Sequence, residues 1–400
     1  MMAGSKHAPT ESLDEWLSSR LRDLDENRLR RQRMVTRIGP GWCERDGRRL
    51  LNFASNDYLG LCHDERVCQA FAKVSQQCSG SGASALVTGR TEWHERLETT
   101  IAQFEGTEAA LVFPSGYAAN VGTLSALMGA DDIVFSDRLN HASLIDGCRL
   151  SGAQFRVYRH DALGKLDDRL AAWNTSLGRK FIITDGVFSM DGTVAPLREL
   201  CEIAERHNAI MIVDEAHGTG VLGPNGRGAC EACNVEERVP IRIGTLSKAV
   251  GTLGGFVAGS SKLIEYLWNT ARSQFFSTAL PPAVCAAAVA SLDVIRAEPG
   301  RRQRMSENSQ AFRRFLADSG EPLSAVPIIP VIVGSESLAM RAAEQIKLDG
   351  YLVACVRPPT VPNNTSRLRV SISSAHSEDD IRRLAESVKR AVESVQGGNR

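Results

Sequence analysis

Apolar positions along this chain follow two periods. Between residues 12 and 34, leucines at 13, 17, 21, 24 and 29 recur at helical spacing among many charges, and Arg28, Arg30, Arg31 and Arg33 close the stretch. A charged N-terminal helix is expected there. From about Asp46 short apolar runs take over: Ala109 to Phe113, Asp132 to Phe135, Gln154 to Tyr158, Lys180 to Thr184, Ile210 to Val213, Ile241 to Gly244 and Gly255 to Ala258. Runs that are apolar on both faces, separated by helix-length segments, predict a mainly parallel seven-stranded sheet covered by helices. After Pro281-Pro282 an Ala-rich helix is expected to about Ile295 and a charged one through Phe315. An alternation then follows, with strands at Ile328 to Val333, Val353 to Val356 and Leu368 to Ile372, a helix near Leu338 to Asp349, and a last amphipathic helix from Glu378 to about Val395. This predicts an α/β protein with an N-terminal helical segment at 1–45, a large domain at 46–285 and a smaller α+β domain at 286–400.

The chain has 400 residues, 43% of them hydrophobic, and balances 47 Lys plus Arg against 47 Asp plus Glu. A neutral chain lacks the cationic excess that displaces counterions from a polyphosphate backbone, so nucleic acid is not the expected partner and a small molecule or a protein is. Met1 to Trp16 is polar, without the apolar core of a secretory signal. The longest apolar stretches, Ala283 to Leu292 and Val326 to Val333, fall short of the roughly 18 residues that cross a bilayer, so no membrane span is expected. Ten scattered cysteines without framework spacing read as reduced thiols, and a cytoplasmic location is expected.

Gly218-Thr219-Gly220-Val221-Leu222-Gly223 matches GxGxxG after a predicted strand. The glycines run on into Pro224, Asn225, Gly226 and Gly228 instead of opening a helix, which is loop chemistry and not a dinucleotide site. Cys230 and Cys233 form a lone CxxC with no second Cys or His pair at zinc spacing, so no metal is expected. Ile210 to Val213 is more informative, because this strand ends in Asp214-Glu215-Ala216-His217 and ligands bind beyond the carboxyl ends of parallel strands. The strand at 241 to 244 runs into Thr245-Leu246-Ser247-Lys248. A desolvated lysine there has a lowered pKa and becomes a nucleophile towards carbonyls.

An acid at one strand end and a lysine at another meet the needs of pyridoxal 5'-phosphate. The lysine bonds the aldehyde, and the carboxylate keeps the pyridine nitrogen protonated. Phe113-Pro114-Ser115-Gly116-Tyr117 supplies the missing phosphate cradle: a strand end and then a helix start whose free N–H groups favour an anion. Thr245 and Ser247 offer hydroxyls beside the lysine.

The segments FPSGYAAN, DRLNHASLIDG, TDGVFSMDG, VDEAHGTGVLG, GTLSKAVGTLGG and FSTALPP, with NFASNDYLGL at 52 to 61, resemble the α-oxoamine synthases, enzymes of the pyridoxal-phosphate-dependent transferase fold type I. The resemblance runs from about Arg28 to the C-terminus. It implies a homodimer with the active site at the subunit interface. It also implies condensation of an amino acid with an acyl thioester. Arg357-Pro358-Pro359-Thr360-Val361-Pro362 and Ser366 to Val370 point to the biotin-pathway branch, which joins L-alanine to a pimeloyl thioester carried by coenzyme A or a carrier protein.

By the same resemblance Lys248 holds the cofactor and acts as the base at Cα, Asp214 pairs with the ring nitrogen, and His141 stacks on the ring. Ser189 and His217 sit near its phenolic oxygen. Gly116, Tyr117 and Thr245 address the phosphate, with Thr278 reaching that of the neighbouring subunit. Arg369 clamps the amino-acid carboxylate, and Asn56, Arg30 on the N-terminal helix and Thr360 on the C-terminal loop contact substrate. No role is argued for His160 or His207. Three alternatives stay open: another branch taking glycine or serine with a different acyl donor, an aminotransferase on the same fold, and a catalytically dead scaffold.

Overall fold

Helix Leu13–Glu26 opens the computed structural model, which describes residues 12–27, 29–173, 178–316 and 324–397. Ser12 and Glu15 form a capping box at its start. The helix stops at Glu26 instead of reaching 34, and residues 29–36 are irregular. Arg30 therefore lies past the helix and not on it, while Arg28 falls outside the described residues. A run of like charges at helical spacing repels itself and does not extend a helix that buries none of its residues. None of the helix residues is buried, and its stripe of Leu13, Trp16, Leu17, Leu21 and Leu24 faces outward.

Three short strands follow: β1 (Arg37–Gly39), β2 (Trp42–Arg45) and β3 (Arg48–Phe53). The main sheet comprises β4 (Ala109–Phe113), β5 (Ile133–Asp137), β6 (Gln154–Tyr158), β7 (Lys180–Asp185), β8 (Ala209–Asp214), β9 (Ile241–Thr245) and β10 (Gly255–Gly259). All seven expected strands form, in the order β4-β10-β9-β8-β7-β5-β6. The pairs from β9 to β6 are parallel, while β10 runs antiparallel to both β4 and β9. Strands β5, β9 and β10 are buried at every residue, which explains why they read as unbroken apolar runs. Gly244 faces Phe256 across β9 and β10, and a Cβ there would come within 2.3 Å of the ring, so the glycine makes room for the largest side chain of the pair.

The smaller sheet adds β11 (Ile328–Gly334), β12 (Tyr351–Val356) and β13 (Ser366–Ser371), in the order β1-β2-β3-β12-β13-β11. Strand β3 pairs parallel to β12, so residues 37–53 belong to this sheet and not to a helical segment and the large domain, as the division at 45/46 supposed. The division at 285/286 also moves. It falls inside helix Pro282–Ala297, whose Ala283 and Ala286 pack on Val74 of the large unit. Strand β13 reaches back to that unit: Arg367 Nη1 bonds Asp191 Oδ1 at 2.6 Å, just beyond β7.

Candidate active site

Strands β5, β7, β8 and β9 end on the same edge of the sheet, and a cavity of about 210 Å³ opens beyond them. Helix Gly116–Leu127 starts at its rim, capped by Ser115 Oγ, which accepts from Ala118 N at 3.1 Å. The first N–H groups of a helix have no intrahelical acceptor, so those of Gly116 and Tyr117 are offered to a ligand. A Cβ on Gly116 would lie 3.1 Å from Thr245 Cβ, so glycine lets β9 close on the turn. Thr245 Oγ1 donates to Gly254 O at 2.9 Å and accepts from Ser247 Oγ at 2.8 Å. The exposed Tyr117 hydroxyl donates to Asp146.

Lys248 Nζ lies 2.9 Å from His217 Nε2. Burial lowers the lysine pKa to about 8, with Asp214 and then Asp185 opposing the shift and Arg369 adding to it. His217 is 6% exposed, and burial, with Lys248 and Arg369 beside it, pushes its pKa well below the usual histidine value. The neutral ring passes the contact on, since its Nδ1 is 2.8 Å from the Tyr58 hydroxyl. Asp214 is buried at the tip of β8, where Oδ1 accepts from Ala216 N at 2.8 Å and Oδ2 from Asn120 Nδ2 at 2.6 Å. The neighbouring acid is structural. Glu215 accepts from Ala229 N and Cys230 N at 2.7 Å each and holds down the loop after β8. Gly218 and Gly228 sit so close to its carboxylate that a Cβ would come within 2.3 Å of it, which is the use of two of the loop's glycines.

His141 caps helix Ala142–Leu150 and borders the cavity. Desolvation lowers its pKa, Asp214 raises it, Lys248 lowers it and Asp146 raises it. Ser189 also borders the cavity, and its carbonyl accepts from Arg369 Nε at 2.6 Å. The rest of the Arg369 guanidinium bonds Asn56 Oδ1 at 3.2 and 3.3 Å, Ser371 Oγ at 3.0 Å and the Tyr58 hydroxyl at 3.4 Å.

The cavity thus gathers Lys248, Asp214, His217, His141, Ser189, Gly116, Tyr117 and Thr245, with Asn56 and Arg369 against it through Tyr58 and Ser189. It does not gather Arg30, Thr360 and Thr278. Arg30 is exposed and bonds Asp25 at 2.6 Å, while Arg357 links it to the loop of Thr360 through a 3.4 Å bond to the Arg30 carbonyl. Thr278 is exposed and bridges Ser84. Four residues without an assigned role belong to the site: Tyr58, Asn120, Ser143 and Asp185. Each lies inside a quoted segment. Asn120, a polar side chain on a buried helix face, was the one with a legible signal.

Pyridoxal phosphate fits these residues. A helix start for an anion, a strand-end carboxylate for a protonated ring nitrogen and a lysine with a lowered pKa for an aldehyde border one cavity, and the buried Asn120 Oδ1 lacks a partner there. Among the described residues no group of three or more His, Cys, Asp or Glu could hold a metal, and no helix is long and apolar enough to cross a membrane.

Residues 48–388 match the family described as aminotransferase class I and II. The chain is 48% identical over 368 residues to an 8-amino-7-oxononanoate synthase of Anaeromyxobacter dehalogenans, covering 90% of this chain and 92% of the relative. A serine palmitoyltransferase variant from S. paucimobilis, solved with bound PLP and myriocin, superposes with a TM-score of 0.89 at 30% identity over 96% of this chain and 98% of that one. The 8-amino-7-oxononanoate synthase of Francisella tularensis superposes with a TM-score of 0.73 at 31% identity, covering 86% and 98%.

Proposed function

Because the chain belongs to the class I and II aminotransferase family and, within it, to the 8-amino-7-oxononanoate synthases, we propose that this cavity holds pyridoxal 5'-phosphate and condenses L-alanine with a pimeloyl thioester. The products are 8-amino-7-oxononanoate, carbon dioxide and the free thiol. The observation that carries the reading is that Lys248, whose pKa burial lowers to about 8, shares one cavity with Asp214 and the Gly116 helix start.

When bound, the cofactor supplies an electron sink for the carbanion at the amino acid's Cα. Lys248 anchors it and takes the Cα proton, for which a pKa near the working pH is suited. Asp214, oriented by the donors from Asn120 and Ala216, holds the proton on the ring nitrogen. His217 and Ser189 face the phenolic oxygen, and His141 covers the ring. Gly116, Tyr117 and Thr245 hold the phosphate. Arg369 takes the substrate carboxylate in its planar fork with Asn56 beside it, giving up the bonds it now makes to Asn56 and Tyr58. Arg30 and Thr360, drawn together through Arg357, address the acyl donor at the rim.

The apolar stripe on helix Leu13–Glu26 and the exposed Leu86, Val87 and Phe276 support a homodimer, in which Thr278 reaches the partner's phosphate site. Light scattering tests this, and a monomer would contradict it. Ten free cysteines accord with a reducing, cytoplasmic location.

Shape alone would favour serine with a long acyl donor, since the TM-score to serine palmitoyltransferase is 0.89. The 48% identity to an 8-amino-7-oxononanoate synthase, against 30%, decides for alanine. The visible absorbance of the loaded protein, followed on adding L-alanine, glycine or L-serine and then pimeloyl-CoA, tests the choice. Alanine should change the spectrum most and release thiol, and a response confined to glycine or serine would overturn it.

A further inference from the structure

Asn120 and Ser143 border the cavity, and the reaction described above uses Asn120 only as a donor to Asp214 and Ser143 not at all. Asn120 Nδ2 is 2.6 Å from Asp214 Oδ2 and 2.9 Å from Ser143 Oγ. Ser143 Oγ is in turn 2.7 Å from His141 Nδ1, and Ser143 N points at the same nitrogen from 3.3 Å. Asn120 is 3% exposed and Ser143 fully buried, so water does not compete for these bonds.

Elementary hydrogen-bond chemistry fixes every direction. A carboxylate only accepts and an amide nitrogen only donates. Asp214 therefore turns the Asn120 amide nitrogen towards itself, since the flipped amide would set oxygen against oxygen. The second amide hydrogen goes to Ser143 Oγ, which leaves the serine proton free for His141 Nδ1. The backbone N–H of Ser143 demands a lone pair at that same nitrogen. A proton on Nδ1 would point into this fixed N–H, so the ring proton belongs on Nε2 and the serine hydroxyl donates to the bare Nδ1.

We infer that Asn120 and Ser143 are positioning residues that transmit the charge of Asp214 to His141, fixing its ring as the Nε2–H tautomer. His141 then offers one directed donor to a carboxylate or carbonyl oxygen of the bound substrate. One carboxylate thus serves two ends of the site, directly at Asn120 and through a chain of three hydrogen bonds at His141. The other titratable groups that face His141 are Lys248, His217, Asp146 on its own helix, and Asp185 at the end of β7, which accepts from His141 N at 3.4 Å. None of these bonds Nδ1. The role of His141 beside the substrate rests on the function proposed above, whereas its tautomer does not.

The test is nitrogen NMR of the cofactor-loaded protein labelled at histidine, with His141 identified by the signal that His141→Gln removes. The wild type should show neutral His141 with Nδ1 bare and Nε2 protonated. In Ser143→Ala the tautomers should mix, and the His141 titration should rise by about half to one pH unit, because the lost donor favoured the uncharged ring. The acidic limb of kcat/KM for L-alanine should move up with it. Ser143→Thr, which keeps the hydroxyl, should restore the tautomer and the pH profile. A protonated Nδ1 in the wild type, or a Ser143→Ala spectrum and titration equal to wild type, would overturn the inference; the wild-type measurement alone decides if Ser143→Ala does not fold. A protein inert towards L-alanine that still shows bare Nδ1 would sink the proposed function and leave the relay standing.

Discussion

Asp185 and Asp214 stand side by side, in register at the tips of the adjacent parallel strands β7 and β8, and both face the cavity that holds Lys248. Two buried acids share one lysine, so they cannot both ionise cheaply. The donors decide between them. Asp214 receives Asn120 and Ala216 at 2.6 and 2.8 Å, while Asp185 receives only a 3.4 Å contact from His141 N. Burial, and then the charge of Asp214, push the Asp185 pKa well above the usual carboxylate range. Asp214→Ala should therefore cut kcat/KM by about 10³-fold or more, with Asp185→Asn costing under about tenfold, since asparagine resembles the protonated acid. Steady-state kinetics of both variants checks this, and equal losses would show that Asp185 carries working charge.

The Lys248 amine should become reactive as pH rises through about 8, the value to which burial lowers it. Below that pH the proton blocks its lone pair, and above it the neutral amine is free to attack. Rates of pyridoxal phosphate attachment to the cofactor-free protein, read by visible absorbance, should climb through this range and level off. A climb centred near the ordinary 10.5 would contradict the burial argument. Lys248→Ala should lose the absorbance and lower turnover by about 10³-fold or more.

Arg369 addresses the substrate carboxylate through a charge-assisted pair, so Arg369→Ala should raise KM for L-alanine by about 10- to 100-fold with a smaller change in kcat. Arg369→Lys should recover only part of the loss, because an ammonium lacks the planar fork. A KM unchanged by either substitution would remove Arg369 from the amino-acid site.

Gly255, at the start of β10, underlies the phosphate cradle. A Cβ there would stand 2.4 Å from the Ser115 carbonyl oxygen and 2.6 Å from Gly116 Cα, and backbone has to move to admit it. Gly255→Ala should weaken pyridoxal phosphate binding by about tenfold or more, roughly 1.4 kcal/mol. Equilibrium dialysis reads the affinity, and wild-type binding in a folded variant would show that the turn at 115–116 does not hold the cofactor.

The main sheet was legible because buried parallel strands are apolar on both faces, so Ile210 to Val213 and Ile241 to Gly244 announced themselves and their polar ends marked the site. Strands β1 to β3 were not, since Arg37, Arg45, Arg48 and Arg49 leave no apolar run. The turn signals Pro40-Gly41 and Asp46-Gly47, three of whose residues have positive φ, could have revealed the hairpins. Tyr58 and Asn120 lay inside recognised segments but acquire their parts only through folding, which brings Asn120 to an aspartate 94 positions away and Tyr58 to a histidine 159 positions away. The arginine run beyond Glu26 read as helix because helical spacing alone does not reveal that the helix before it buries none of its residues.

The most direct test of the account is product analysis by mass spectrometry after incubating the cofactor-loaded protein with L-alanine and pimeloyl-CoA, with thiol release followed in parallel. The account predicts 8-amino-7-oxononanoate formed in step with one free thiol, and none with Lys248→Ala. Thiol release with glycine or L-serine but not with L-alanine, or an α-keto acid formed without any thioester, would contradict it.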